Sequence, residues 1–194
     1  KNIVYKDLKL ENVLLDMDGH VRLTDFGLSK QLTSDTDRVH SMSGTAAYLA
    51  PEVIDSGDEG HGKSADIWAF GVLMFTILLH ESPFYSENLS ELFEMIVHQE
   101  VEWEYYKEDL SPEAFSLLQG LLTKDPTKRL GCGPDKIKEI LNHPFFSPMD
   151  WEALLAMKLT PHIKPKLRVA ERATEQDKLD LQAGRVSKQN IDRG

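Results

Sequence analysis

The sequence predicts a mainly helical fold with one small β-hairpin near its start. Three observations predict it. Four stretches between residues 64 and 142 read as helices, by apolar spacing or by capping residues. Only Asp18-Gly19, set between the β-prone triplets Val13-Leu14-Leu15 and Val21-Arg22-Leu23, reads as a hairpin. A length of 194 residues with 41% hydrophobic and 28% charged side chains is enough for one domain with a real core.

Taken in order, the hairpin spans residues 13 to 24. Residues 28 to 49 are rich in Ser, Thr and Asp, lack a period, and read as a long loop of the kind that is functional or mobile. Residues 55 to 62 form a polar, Gly-rich surface loop. Ser64 precedes a helix from Ala65 to Leu79 that is apolar nearly all round, as a helix buried mid-domain must be. Leu89 to His98 is amphipathic, with Asn88 or Ser90 as its cap. Ser111-Pro112 opens a third helix in which Phe115, Leu117, Leu118, Leu121 and Leu122 supply a broad buried face. Asp135 to Asn142 is a fourth, ended by His143-Pro144. Trp151, Leu154, Leu155 and Leu159 suggest a last helix. From Thr160 the chain turns polar, with Lys164, Lys166, Arg168 and Arg172, and reads as an extended tail lying on the domain or disordered.

Composition narrows function. A formal net charge of -10 argues against a nucleic-acid partner and suits recognition of basic peptides. Cys132 is the sole cysteine, so no internal disulfide forms, which fits a reducing compartment such as cytoplasm or nucleus. The longest apolar run, Ile67 to Leu79, is broken by Gly71 and Thr76 and falls short of the roughly 18 residues of a membrane segment. His61, His80, His143 and His162 show no metal-ligand spacing and read as surface or capping residues.

Chemistry concentrates at Asp7-Leu8-Lys9-Leu10-Glu11-Asn12 and Asp25-Phe26-Gly27. A carboxylate at Asp7 can accept a hydroxyl hydrogen and orient the attacking oxygen. Lys9 can reach a transferring phosphate and offset its developing charge. Asn12 and Asp25 offer the neutral and charged oxygens that magnesium prefers. The hairpin joins the two motifs, and so holds Asn12 and Asp25 close in space.

With Ala50-Pro51-Glu52 downstream, these motifs resemble the C-terminal lobe of a eukaryotic serine/threonine protein kinase. Tyr5, together with Ser41-Met42-Ser43-Gly44-Thr45, resembles the AGC group. Pro161-His162-Ile163-Lys164-Pro165-Lys166 and Asn190-Ile191-Asp192 look like parts of that group's C-terminal tail. The resemblance implies residues 1–146 as the C-lobe part of a kinase domain and 147–194 as a partial tail. It implies ATP and Mg2+ as cofactors, and a protein substrate with a Ser or Thr acceptor. Catalytic roles fall to Asp7 and Lys9, and metal ligation to Asn12 and Asp25. Ser41 matches the activation-loop phosphorylation site of an upstream kinase, though a solvated serine in a serine-rich loop reads the same way. Thr45 touches the Asp7–Lys9 region and favours a Ser or Thr acceptor. Glu11 meets a basic residue upstream of the acceptor, while Ala47 and Thr76 stand where two further glutamates are frequent. Glu52 pairs with Arg129, and Asp66 accepts hydrogen bonds from the catalytic-loop backbone or serves as a helix-start charge.

One departure is Lys6, where the family has arginine. Lysine keeps the charge but loses the two-pronged grip on a loop phosphate, so control by phosphorylation is expected to weaken. The chain begins almost at the catalytic loop. The resemblance therefore puts the N-terminal lobe outside it, and the isolated 194 residues are expected to be inactive or nearly so. A chain complete as given would instead be a kinase-derived binding module without chemistry. A metal-binding or hydrolytic protein built on the same carboxylates lacks a coherent ligand set.

Overall fold

The computed structural model describes residues 2–163 and 165, except 35, 36, 56, 58, 134 and 135. Two two-stranded antiparallel sheets flank the Asp7–Asn12 motif. In one, β2 (Val13–Leu15) pairs with β3 (Val21–Leu23), with Leu14 opposite Arg22. The turn between them is held by Asp16, whose carboxylate accepts from the amides of Asp18 and His20 and from the Arg22 guanidinium. This is the hairpin that the sequence predicts. The second sheet was not foreseen: β1 (Ile3–Val4) pairs with β4 (Lys30–Gln31). Two-residue strands carry no readable period, and their pairing is settled by burial of Val4 with Leu32 and Val39.

The long loop after Asp25 is correspondingly more ordered than its composition suggests. It contains β4, an antiparallel bridge between Val39 and His61, and a 3-10 turn at Ala46–Tyr48. A short helix α1 (Pro51–Ile54) follows, with Pro51 at its first turn.

Helix α2 (Ser64–Leu79) is the centre of the molecule. Trp68 and Phe75 are fully buried, and pack with Leu92 and Ile96 of α3 (Leu89–His98) and Leu118 of α4 (Pro112–Leu121). Each such apolar side chain taken from water contributes about 1.5–3 kcal/mol. The all-round burial expected of α2 holds for its first three turns, but Ile77 is half exposed as the helix emerges. Capping follows sequence chemistry. Asn88, not Ser90, caps α3 by accepting from the amides of Ser90 and Glu91, and Ser111 Oγ accepts from the Ala114 amide at the start of α4. At the other end of α3, Lys124 Nζ donates to the Met95 and Ile96 carbonyls and lies 4.2 Å from the Phe84 ring centre.

The fourth predicted helix is shorter than expected, α5 (Ile137–Leu141). The last, α6 (Trp151–Leu155), is held by Trp151, whose Nε1 donates to the Leu141 carbonyl at 2.9 Å. Leu154 and Leu155 do not pack: both are exposed. Beyond α6 the chain passes against the hairpin turn. A Cβ on Gly19, itself at φ +92°, would stand 2.2 Å from the Ile163 carbonyl, so only glycine fits there. The tail residues Lys164, Lys166, Arg168, Arg172 and Asn190-Ile191-Asp192 lie outside the described residues.

Arg129 ties these layers together. Its guanidinium is wholly buried and donates to both Glu52 oxygens at 2.7 and 2.8 Å. It also donates to the carbonyls of Thr123, Lys124 and Ser64, which leaves no donor face idle. Ser64 Oγ completes the Glu52 carboxylate at 2.9 Å. Arg129→Met strands the Glu52 charge, and urea unfolding is expected to show a loss of about 3–5 kcal/mol. Adding Glu52→Gln should recover part of it, since no charge then remains uncompensated.

Candidate active site

Five chain segments converge on Asp7. The first is the loop that carries it, between β1 and a 3-10 turn at Leu10–Asn12. Its shape begins with Asp66 in the first turn of α2, whose two oxygens accept from the backbone amides of Tyr5 (2.7 Å) and Lys6 (2.9 Å). Lys6 sits at φ 76°, a left-handed conformation uncommon for a side chain of this kind. Gly44 approaches the same residue from the segment that precedes α1. A Cβ there would lie 2.6 Å from the Lys6 carbonyl, and its φ of +125° is open only to glycine.

That arrangement brings four of the sequence-predicted residues into one hydrogen-bonded group. Thr45 Oγ1 donates to Asp7 Oδ1 at 2.8 Å. Lys9 Nζ donates to Thr45 Oγ1 at 2.8 Å and pairs with Asp7 Oδ2 at 2.9 Å. Asn12 Nδ2 donates to the Asp7 carbonyl and to its Oδ2. Asp7 and Asn12 are both buried. Burial alone would raise the Asp7 carboxyl, but the hydrogen bonds from Lys9, Thr45 and Asn12 outweigh it and hold the group below its ordinary value. Asp7 is therefore a carboxylate at neutral pH.

Asp25 enters from the hairpin. The Thr24 amide and hydroxyl both donate to the Asn12 carbonyl, at 3.0 and 3.2 Å, which places Asp25 next to the end of the turn that carries Asn12. Asp25 is exposed, adopts φ 54°, and accepts from the Gly27 amide through Oδ1. Tyr5 fixes this junction. Its hydroxyl donates to the Thr24 carbonyl, and its ring meets Phe26 edge-on at 5.3 Å. Sequence reasoning used Tyr5 only as a mark of resemblance. Its neighbourhood to Asp7 was the available signal for a positioning role.

The remaining predicted residues are spread around this group. Lys6 Nζ donates to Ser41 Oγ at 3.0 Å on the surface. Glu11 is exposed on the 3-10 turn. Ala47 lies in the 3-10 turn at Ala46–Tyr48, and Thr76, on α2, donates back to the Val72 carbonyl. Glu52, Arg129 and Asp66 are the supports described above. Of the histidines, His80 ends α2 in a left-handed conformation, His143 Nδ1 caps the Phe145 amide, and His162 is exposed. His61 is not a surface residue. It is buried, Nε2 lies 3.3 Å from the Ser41 carbonyl, and desolvation pushes its ring below the ordinary histidine value. The bridge to Val39 drew it in, a long-range pairing with no local signal.

A sequence model of the protein kinase domain matches residues 1–146. This chain belongs to the protein kinase family. It is 44% identical over 167 residues to the RAC-beta serine/threonine-protein kinase B of Xenopus laevis, which covers 86% of this chain and 33% of that protein. The RAC-beta serine/threonine-protein kinase of Homo sapiens is likewise 44% identical over 167 residues, with 86% and 34% covered. The chain spans about a third of the length of these relatives. The resemblance to AGC-type serine/threonine kinases thus holds across most of the sequence. The helical content and small sheets agree with part of a kinase domain. Among the described residues, no helix is long and apolar enough to cross a membrane.

Because the folded Asp7 carboxyl titrates below the unfolded one, its hydrogen bonds stabilise the fold above the unfolded value near 3.8, and that stabilisation is lost as pH falls through the folded value. Carbon-13 NMR should find the Asp7 midpoint below 3.8, and Thr45→Val should move it upward. An unchanged midpoint in the variant would remove Thr45 from the group.

Proposed function

We propose that this chain supplies the acceptor-side half of an ATP-dependent serine/threonine protein kinase, its C-terminal helical lobe. The observation that carries the reading is the Asp7–Lys9–Asn12–Thr45 group, in which an ionised carboxylate, a cation and two neutral hydrogen-bonding groups share one buried corner.

The donor set fits the cofactors. Asn12 turns its Nδ2 toward Asp7, which leaves its amide oxygen for a hard cation, and Asp25 adds an exposed carboxylate beside it. Among the described residues, no cluster of three or more His, Cys, Asp or Glu could hold a metal alone. Two protein oxygens, with the rest from phosphate and water, is the arrangement magnesium favours. Mg2+ bound with ATP would neutralise charge on the transferring phosphoryl group.

The chain's own residues do the rest. Asp7 accepts a hydrogen bond from the acceptor hydroxyl and aims its oxygen. Held ionised by its neighbours, it orients the nucleophile first and takes the proton late, as suits a loose transition state. Lys9 has a second role open to it, a charged contact with the transferring group. Thr45 links both to the activation loop and would sense a Ser or Thr acceptor. Glu11 is placed to meet a basic substrate residue, and Lys6 to meet a phosphate on Ser41.

A further observation bears on how the site is completed. Leu14, Leu15, Met17, Val21 and Phe26 are exposed beside Asn12 and Asp25. An apolar strip next to a charged site is a surface that another part of a kinase covers. Phosphoryl transfer by the 194 residues alone is therefore expected to be negligible. In the full-length gene product, assayed with Mg·ATP and a basic protein, Asp7→Asn should lower kcat by about 10²–10⁴ with little change in the ATP KM. An unchanged kcat would overturn the role of Asp7. An inactive gene product that melts at the same temperature with and without Mg·ATP would favour a binding module.

A further inference from the structure

The acidity of this chain is not spread evenly. Residues 80–113 hold ten carboxylates against one lysine, so -9 of the formal -10 lies in this one segment. The structure folds part of it around an open groove of about 570 Å³, well away in sequence from the Asp7 motifs. Leu78 and Leu79 at the end of α2 form its apolar side. Glu81, Tyr105, Tyr106 and Asp109 supply its polar and aromatic side.

The groove is built rather than incidental. His80 breaks α2 with a φ of 62°, and Glu81 follows at the groove. Tyr106 is held edge-on to Phe75 at 5.0 Å, and Trp103 is locked between Phe75 (6.2 Å) and Phe115 (5.5 Å). The turn that carries Tyr105 and Asp109 is thereby pinned to α2 and α4. Tyr105 itself is 76% exposed. The Tyr106 hydroxyl is pushed up to about 12, by burial as the larger cause and then by the neighbouring Glu81 and Glu102 carboxylates, which add to it. Lys107 points its charge at Glu104, at 2.5 Å, so it does little to offset the groove acids.

We propose that this groove docks an arginine- or lysine-rich segment of a partner protein, with one cationic side chain stacked on Tyr105 within reach of Glu81 and Asp109. Charge complementarity selects this occupant. A second copy of the chain, itself at -10, would be repelled, as would an acidic partner. An aromatic face beside two carboxylates favours a guanidinium, which stacks and forks at once. The inference does not rest on phosphoryl transfer, since no groove residue belongs to the Asp7 group.

The test is fluorescence anisotropy of the 194-residue chain with a labelled arginine-rich dodecapeptide that lacks Ser, Thr and Tyr. Glu81→Gln with Asp109→Asn should weaken binding about tenfold, and Tyr105→Ala about threefold. All three positions are exposed, so the fold should survive the changes. Glu87→Gln with Glu94→Gln removes the same charge from exposed positions outside the groove and should cost less than about twofold. Glu11→Gln, at the position proposed to meet a basic substrate residue, reads out separately any binding of the peptide at that other site. Equal losses in the groove and control pairs would overturn the proposal in favour of diffuse attraction. A loss confined to Glu11→Gln, or no binding by the parent chain, would overturn it as well.

Discussion

The site depends first on one half-buried carboxylate. Asp66 is fixed at the start of a helix whose other turns are the hydrophobic core, and it accepts the amides of Tyr5 and Lys6. Burial raises its carboxyl above the ordinary value, and those two amide bonds only partly counter the shift. An acid shifted upward is more comfortable neutral. Its charge therefore weakens the fold as pH rises through its folded value, where a depressed acid would strengthen it. The return for that weakness is geometric: with its amide engaged, Lys6 can hold a left-handed backbone, and the next side chain, Asp7, projects into the corner where Lys9, Asn12 and Thr45 meet it. Stability is given up where the chain needs a fixed direction.

The segment between Ser29 and Glu52 is fastened differently at its two ends. At its far end, Glu52 and Arg129 form a fully bonded ion pair inside the helical layers. Nearer the site it is held by the Val39–His61 backbone bridge, the approach of Gly44 to the Lys6 carbonyl, the side-chain hydrogen bond from Lys6 to Ser41, and the Thr45 hydrogen bonds with Asp7 and Lys9. The first is rigid because removing either partner strands a charge. The second is a set of weak contacts that one added charge at Ser41 could reorder. A segment held hard at one end and lightly around Ser41 can be reshaped there without loosening the core.

Much of this was legible in the sequence, for reasons that differ by element. The hairpin declared itself through Asp-Gly between β-branched and leucine triplets, and the helices through Ser111-Pro112, Asn88 and apolar spacing, because those signals act over a few residues. The Asp7 group was legible because each residue type has its own chemistry and the hairpin explains how two motifs meet. What escaped were contacts made across long separations. The β1–β4 pair, the burial of His61 and the hold of Tyr5 on Thr24 join residues 19 to 28 positions apart, and nothing local marks either partner. The expected last helix shows the converse. Leu154 and Leu155 have helical spacing but no opposing surface among the described residues, so the pattern forms a helix without forming core.

The surface divides in a way that the fold alone does not require. Apolar side chains are left exposed along the β2–β3 hairpin, next to Asn12 and Asp25. Carboxylates accumulate instead between residues 80 and 113, from the loop after α2, through α3 and the turn that follows it, to the first turn of α4. Neither pattern helps the chain fold: exposed leucines cost solubility, and clustered like charges repel. Each makes sense as a surface with a use. The apolar strip suits permanent cover by protein, because desolvating it is favourable and needs no matching charge. The acidic groove suits a partner that comes and goes, because its attraction is long-ranged and screened by salt. The chain thus keeps a face suited to lasting cover apart from one suited to passing encounters.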